Sequence, residues 1–263
     1  MARTPEFQLT KWSLDCVSDQ GDVFIGHAAE LRWMGKVVDY ASAMRQAEGG
    51  GTETKHSVRR EARPDEQPDV VTWRCDALGV TGTWRRLVPP IERVIYETKE
   101  GAVTWRCVMP HANAEVITPG WPPLVGRGYV EKLTVTIPIS KLPIDSLRWG
   151  RFHSAGDDVV WIDWQGPVNV RLVYLSGELV ERARVSDDDV AIAAPPVTIS
   201  LDRRRVLRDA RLVDGALQPV PGVRELIAAR THNARETRWL SAATFREGEK
   251  VQKGWALHGL LRW

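Results

Sequence analysis

The chain has 263 residues, 43 % apolar and 27 % charged, a globular balance that excludes a mainly disordered state. Net charge is +2, with basic residues scattered among acids, which argues against a dedicated nucleic-acid surface. No apolar run approaches the roughly 18 residues needed to cross a bilayer, so no integral membrane segment is expected.

Trp occurs 12 times against 4 Phe and 4 Tyr, which places the aromatic load in the side chain with the widest apolar face and an N–H donor. That bias suits a barrel interior or a pocket for a large apolar ligand, although each single Trp is more often plain core. The three cysteines Cys16, Cys75 and Cys107 make neither a disulfide framework nor a CxxC pair, and no metal site is expected. Met1 to Leu9 lacks the apolar core of a signal peptide, so the expected compartment is the cytoplasm.

Short apolar runs alternating with period two, cut by Gly, Pro and charge clusters, predict an all-β sandwich or barrel. The clearest strand is Asp22 to Met34, and its face Val23, Ile25, His27, Ala29, Leu31 and Trp33 is read as the buried one. Residues 47–69 are Gly-rich and charged, and read as a long exposed mobile loop. Val71-Thr-Trp-Arg-Cys75 recurs as Val103-Thr-Trp-Arg-Cys107, two strands expected to turn Val, Trp and Cys inward. The proline-rich run Pro110 to Pro123 reads as irregular and sets a domain boundary, giving domains 1–120 and 121–263. Further strands follow from Gly128 to Trp263, with one short helix expected at Val223 to Ala229.

Two segments carry candidate chemistry. In Tyr129-Val-Glu131-Lys-Leu133-Thr-Val135-Thr-Ile137, alternation puts Glu131 on the apolar face. A carboxyl there loses hydration and becomes a candidate general acid, unless an Arg such as Arg151 pairs with it. In the hairpin that follows, Trp149, Arg151 and His153 share one face of the first strand and Val159, Trp161 and Asp163 one face of the second. With Ser154 to Asp158 as the turn, these residues would build a His–Arg–Asp group beneath two Trp rings. His27 is a third candidate base, or a satisfied core histidine. His258 is expected on the outside. Nucleotide, hydrolase, zincin and EF-hand motifs are all missing from the sequence.

Gly126-Arg-Gly128-Tyr129-Val-Glu131-Lys-Leu, Leu142-Pro-Ile, Trp149-Gly-Arg151 and Trp161-Ile-Asp163-Trp164 resemble the lipocalin-like proteins grouped with hydroxyneurosporene synthase (carotenoid 1,2-hydratase) and AttH. The early strand through Gly26-His27 and the closing Gly254-Trp255-Ala256-Leu257-His258 are similar to that family too. The resemblance implies two packed antiparallel calycin-like β-barrels or half-barrels and a ligand cavity. It also implies chemistry on isoprenoids or related apolar molecules, and related folds host pericyclic enzymes. A hydratase His-x-Trp element does not align: His153 is followed by Ser154 and Ala155.

The expectation is a lipocalin-like enzyme without a cofactor, acting on a large apolar unsaturated small molecule by hydration, dehydration, isomerisation or cyclisation. Glu131 or Asp163 would give the proton and His153 or His27 would relay it. Tyr129, Trp149, Arg151, Trp161, Trp33 and Trp105 would line the substrate. A non-catalytic carrier and a pericyclase are the rivals, and a homodimer is compatible with all three.

Overall fold

The computed structural model describes residues 7–60, 63–214 and 233–263. Strands account for 69 % of the chain and helix for 2 %, so the fold is all-β. The described residues divide into two compact units between Leu142 and Pro143, each built on one curled half-barrel sheet.

The first unit contains β1 (Phe7–Val17), β2 (Val23–Trp33), β3 (Lys36–Gln46), β4 (Thr52–Ser57), β5 (Asp65–Glu66), β6 (Val70–Cys75), β7 (Val80–Arg86), β8 (Ile91–Thr98), β9 (Gly101–Ile117) and β10 (Leu124–Val135). They are ordered β4-β3-β2-β1-β10-β9-β7-β6-β5, with β8 also on β9. Since β10 lies between β1 and β9, it joins the two parts of this sheet, and the division falls at 142/143 rather than at the proline-rich run. Alternation decides the two faces. The inner face carries the core: Trp12, Leu14 and Cys16 of β1, Phe24 and Ala28 of β2, Val71, Trp73 and Cys75 of β6, and Trp84 of β7. The Trp84 indole N–H is satisfied by the Asp15 carbonyl at 2.7 Å.

Three sequence expectations change here. In β2 the core face is Phe24, Gly26 and Ala28, and His27 is half-buried on the opposite face. Both faces of β2 are apolar near its start, so period two could not say which one meets the core. Within residues 47–69, Thr52–Ser57 is not loop but an edge strand on β3, and Asp65–Glu66 pairs with β6. A polar edge strand buries little apolar surface and reads as loop from composition, while its Glu53 and Lys55 protect the open edge. The run from Pro110 is not irregular throughout: β9 continues to Ile117. Its ladder to β10 shifts between Gly128 and Glu131, where Ala112, Met109 and Cys107 are the successive partners. Pro110 sits in that irregularity, where its missing N–H costs no ladder bond.

The second unit contains β11 (Ser146–His153), β12 (Asp158–Gln165), β13 (Val170–Leu175), β14 (Glu178–Leu179), β15 (Ala183–Val185), β16 (Asp189–Ile192), β17 (Val197–Arg211), β18 (Arg235–Glu247) and β19 (Lys250–Arg262). Their order is β14-β13-β12-β11-β19-β18-β17-β16-β15. The core is formed by Phe152, Val159, Trp161, Val173, Ile199, Phe245 and Ala256, with Phe152 and Phe245 stacked at 6.1 Å. The helix expected at Val223 to Ala229 lies outside the described residues. Among the described residues no helix is long and apolar enough to cross a membrane.

Candidate functional site

Directly paired residues of neighbouring antiparallel strands project to the same face. The register therefore draws one lateral row across the outer face of the first sheet: Ser42 on β3, His27 on β2, Ser13 on β1, Glu131 on β10 and Cys107 on β9. Glu131 and His27 lie two strands apart, about 10 Å between backbones, with Ser13 between them. The adjoining rows supply Ile25, Asp15 and Tyr129 on one side and Lys11, Leu133 and Trp105 on the other. Trp33 shares this face but pairs with Phe7 at the far end of β2, where the two rings meet edge to face at 6.0 Å.

Glu131 is the best-defined group on this face. Its Oε2 accepts the Trp105 indole N–H at 2.8 Å and the Tyr129 hydroxyl at 2.8 Å. Among the described residues no cation pairs with it, and Arg151 belongs to the second unit. The environment is graded. Trp105 and Cys107 are buried, while Glu131, Tyr129, Ser13 and His27 are half-buried. Burial pushes the Tyr129 hydroxyl well above its usual 10, and the neighbouring Cys107 and Glu131 add to the shift. Tyr129 thus stays a neutral donor, as its bond to the carboxylate requires. Val103, Trp105 and Cys107 are buried as the repeat suggests, but on the outer face, whereas Val71, Trp73 and Cys75 enter the inner core.

The second unit does not assemble the expected His–Arg–Asp group. His153 pairs with Asp158, so the turn is the four residues 154–157, one fewer than expected. Trp149, Arg151 and His153 then share a face with Asp158, Val160 and Ile162, and Trp161 and Asp163 point to the other side. A one-residue change in turn length exchanges the faces of a whole strand. Asp163 is almost fully buried and accepts the Arg171 guanidinium at 2.8 Å and the Gln165 amide at 2.7 Å. Trp149 lies under the Arg238 guanidinium at 5.0 Å, while Arg151 and His153 are buried.

His258 is not outside. It is 4 % exposed, its Nε2 is 2.9 Å from the Ser241 hydroxyl, and its ring stacks on Trp239 at 5.2 Å and leans on Trp161 at 6.5 Å. Gly150 makes room for these rings, because a Cβ there would enter the Trp161 indole and reach His258 Cβ at 2.6 Å. Ser13, Cys107 and Ser241 escape sequence reasoning because strand register, which brings them beside Glu131 or His258, leaves no mark within a single strand.

No family model matches the sequence, and no curated protein matches it. Solved structures do match by shape. CghA superposes with a TM-score of 0.64 at 12 % identity, covering 99 % of this chain and 93 % of that one. Kievitone hydratase from Nectria haematococca gives 0.53 at 10 % identity, covering 97 % and 88 %. The AttH-like protein of Nitrosomonas europaea gives 0.52 at 12 % identity, covering 98 % and 92 %. The fold is lipocalin-like. CghA was also solved with Sch210972, and that structure superposes at 0.58 and 11 % identity, covering 99 % and 93 %. At such identities the likeness speaks for the fold, and the chemistry must be argued from this chain's own residues.

Proposed function

We propose that this chain is an enzyme of the lipocalin-like fold that moves a proton at Glu131 on a large apolar, unsaturated small molecule of terpenoid or polyketide type. The observation that carries the reading is the pairing of Glu131: two neutral donors, Trp105 and Tyr129, converge on Oε2, and no cation among the described residues neutralises the carboxyl. A carrier that used Glu131 as a structural ion-pair partner would show an Arg or Lys there. With Oε2 occupied, Oε1 is the atom left to exchange a proton with the reacting carbon or leaving hydroxyl. The fixed donors hold the carboxyl in one rotamer, so little reorganisation accompanies proton transfer. His27, across Ser13 in the same row, is the group to return or accept the second proton. Hydration, dehydration, isomerisation and cyclisation all follow from protonating an alkene, an epoxide or a hydroxyl at this point. That kievitone hydratase shares the fold supports a proton-transfer reading.

The test is incubation of the full chain with a panel of unsaturated terpenoids and polyketides in deuterated water, read by mass spectrometry. Deuterium at carbon, or gain or loss of water, that disappears in Glu131→Gln supports the proposal. An isomer formed without label points to pericyclic chemistry instead, and unchanged ligands that quench Trp fluorescence point to a carrier.

A further inference from the structure

The inner face of β3 runs through Ala41 and Ala43 and ends on Arg45, which stands opposite Phe24 of β2 and Glu53 of β4. Arg45 is 5 % exposed, and its Nε and Nη1 are buried without a hydrogen-bond partner. Among the described residues no carboxylate lies within ion-pair distance of it. The obvious partner, Glu53, is engaged elsewhere: it accepts the Trp121 indole N–H at 2.7 Å and the Lys55 ammonium at 2.9 Å. Asp22 acts on Arg45 from further off, and its Oδ1 accepts the Glu48 backbone N–H at 2.9 Å. The Trp121 ring covers the guanidinium at 5.3 Å. The turn that delivers Trp121 contains a second buried donor without a partner, the Thr118 hydroxyl, and the Trp121 backbone N–H closes that turn on the Thr118 carbonyl at 3.3 Å.

A guanidinium does not lose its proton in a protein, so burial cannot relieve Arg45 by neutralising it. A ring face returns much less than the lost hydration of a cation. A Met or Leu would fill the same space beside Phe24 and the alanines with no such penalty. The arrangement therefore calls for a negative partner that the described residues do not supply. We propose that Arg45, roofed by Trp121, is a binding site for a small monovalent anion, either a free halide or the carboxylate of an organic molecule. The buried N–H groups of Nε and Nη1 donate to it, and the turn that carries Trp121 holds a further buried donor without a partner, the Thr118 hydroxyl. This site lies on the opposite face of the sheet from Glu131 and does not depend on the reading of that residue.

The experiment is thermal unfolding of the full chain at constant ionic strength, exchanging a bulky sulfonate buffer anion for bromide or for formate, together with anomalous diffraction from crystals grown in bromide. The site predicts a bromide peak within hydrogen-bonding distance of the Arg45 guanidinium. It also predicts a midpoint that rises by several degrees with bromide or formate, and the loss of both in Arg45→Met. In sulfonate alone Arg45→Met should melt no lower than the wild type. A larger response to formate than to bromide assigns the site to an organic carboxylate, and the reverse assigns it to a free halide. Should Arg45→Met not fold, Arg45→Lys keeps the charge but loses the fork, and a weaker anion response in that variant also supports the site. Equal midpoints in all three anions with no bromide peak at Arg45, or an unchanged response in the variants, would overturn it.

Discussion

Arg148 and Asp163 stand directly opposite each other on β11 and β12, yet each bonds to a different partner: Arg148 to Asp187 and Asp163 to Arg171, both at 2.8 Å. The Asp163 carboxylate is thus engaged by a cation and by the Gln165 amide. This is the arrangement of a structural carboxylate. Asp163→Asn is expected to destabilise the protein by about 1–3 kcal/mol, since a buried acceptor of a charged donor is weakened. Turnover per folded molecule should not change. Denaturant unfolding alongside the labelling assay checks both halves, and loss of turnover without loss of stability would return Asp163 to the catalytic group.

Glu131 is expected to behave the other way. Glu131→Gln should lower turnover by about 10²–10⁴-fold, the usual range for a positioned acid or base. The midpoint of unfolding should stay nearly constant, because Trp105 and Tyr129 can still donate to the amide oxygen. Tyr129→Phe and Trp105→Phe each remove one donor and should cost about tenfold, corresponding to roughly one hydrogen bond to a charged group. Steady-state kinetics with thermal melts separates these effects, and an inactive but unfolded Glu131→Gln would sink the assignment.

Tyr129 makes a spectroscopic prediction. Its folded pKa is raised above the unfolded value of 10, first by burial and then by Cys107 and Glu131. Stability from this group is therefore complete below pH 10 and is lost as pH rises toward the folded pKa. Tyrosinate absorbance followed as pH rises above 10 should show Tyr129 un-ionised while the protein stays folded, and one fewer tyrosine should lag in Tyr129→Phe. A tyrosine count that rises smoothly and identically in both proteins would contradict this.

Glu30 sets part of the acid limit. Its carboxyl is held below the usual 4.5 by the hydrogen bond from Arg32 at 2.7 Å, aided by the charge of Arg63, which also bonds it. A depressed carboxyl contributes stability above pH 4.5 and loses it as pH falls through the folded pKa. Glu30→Gln should therefore flatten the stability profile below pH 4.5. Both arginines are about half exposed, so added salt should shrink the effect.

Gly150→Ala tests the packing beneath His258. The added Cβ would collide with Trp161 and His258 Cβ, both held by neighbouring strands, and overpacking of this kind costs about 1–3 kcal/mol. Its Tm should fall while the Glu131 chemistry of the other unit is retained.

Much of the fold is legible in the sequence, because alternation marks strands locally. Trp149 to His153 and Val159 to Trp164 are strands as read, and the face mates of Glu131 within β10 follow from period two. What alternation leaves open is which residues of two strands stand side by side. The turn after His153 is one residue shorter than composition suggested, and this alone separates His153 from Asp163. His258 reads as external because Trp255, Leu257 and Trp263 lie on the opposite face of its strand, and only β18 reveals Ser241 and Trp239 beside it. Glu131, His27, Tyr129 and Trp105 were each legible singly, but their common face emerges from the ladders of β2, β1, β10 and β9.

The irregularity around Pro110 has a further bearing on how this chain can change. From Ala112 to Cys107, β9 spends five steps where β10, from Gly128 to Glu131, spends three. The excess is even, so side-chain parity survives: Ala112 and Ala114 enter the inner core, and Trp105 and Cys107 keep the Glu131 side. Excising two residues between Val108 and His111 would leave every other side chain of β9 on its present face, whereas excising one would turn half the strand inside out. Length variation in relatives of this chain should therefore come in pairs at this point, and the strand can be shortened or lengthened there without exchanging its core for its candidate site.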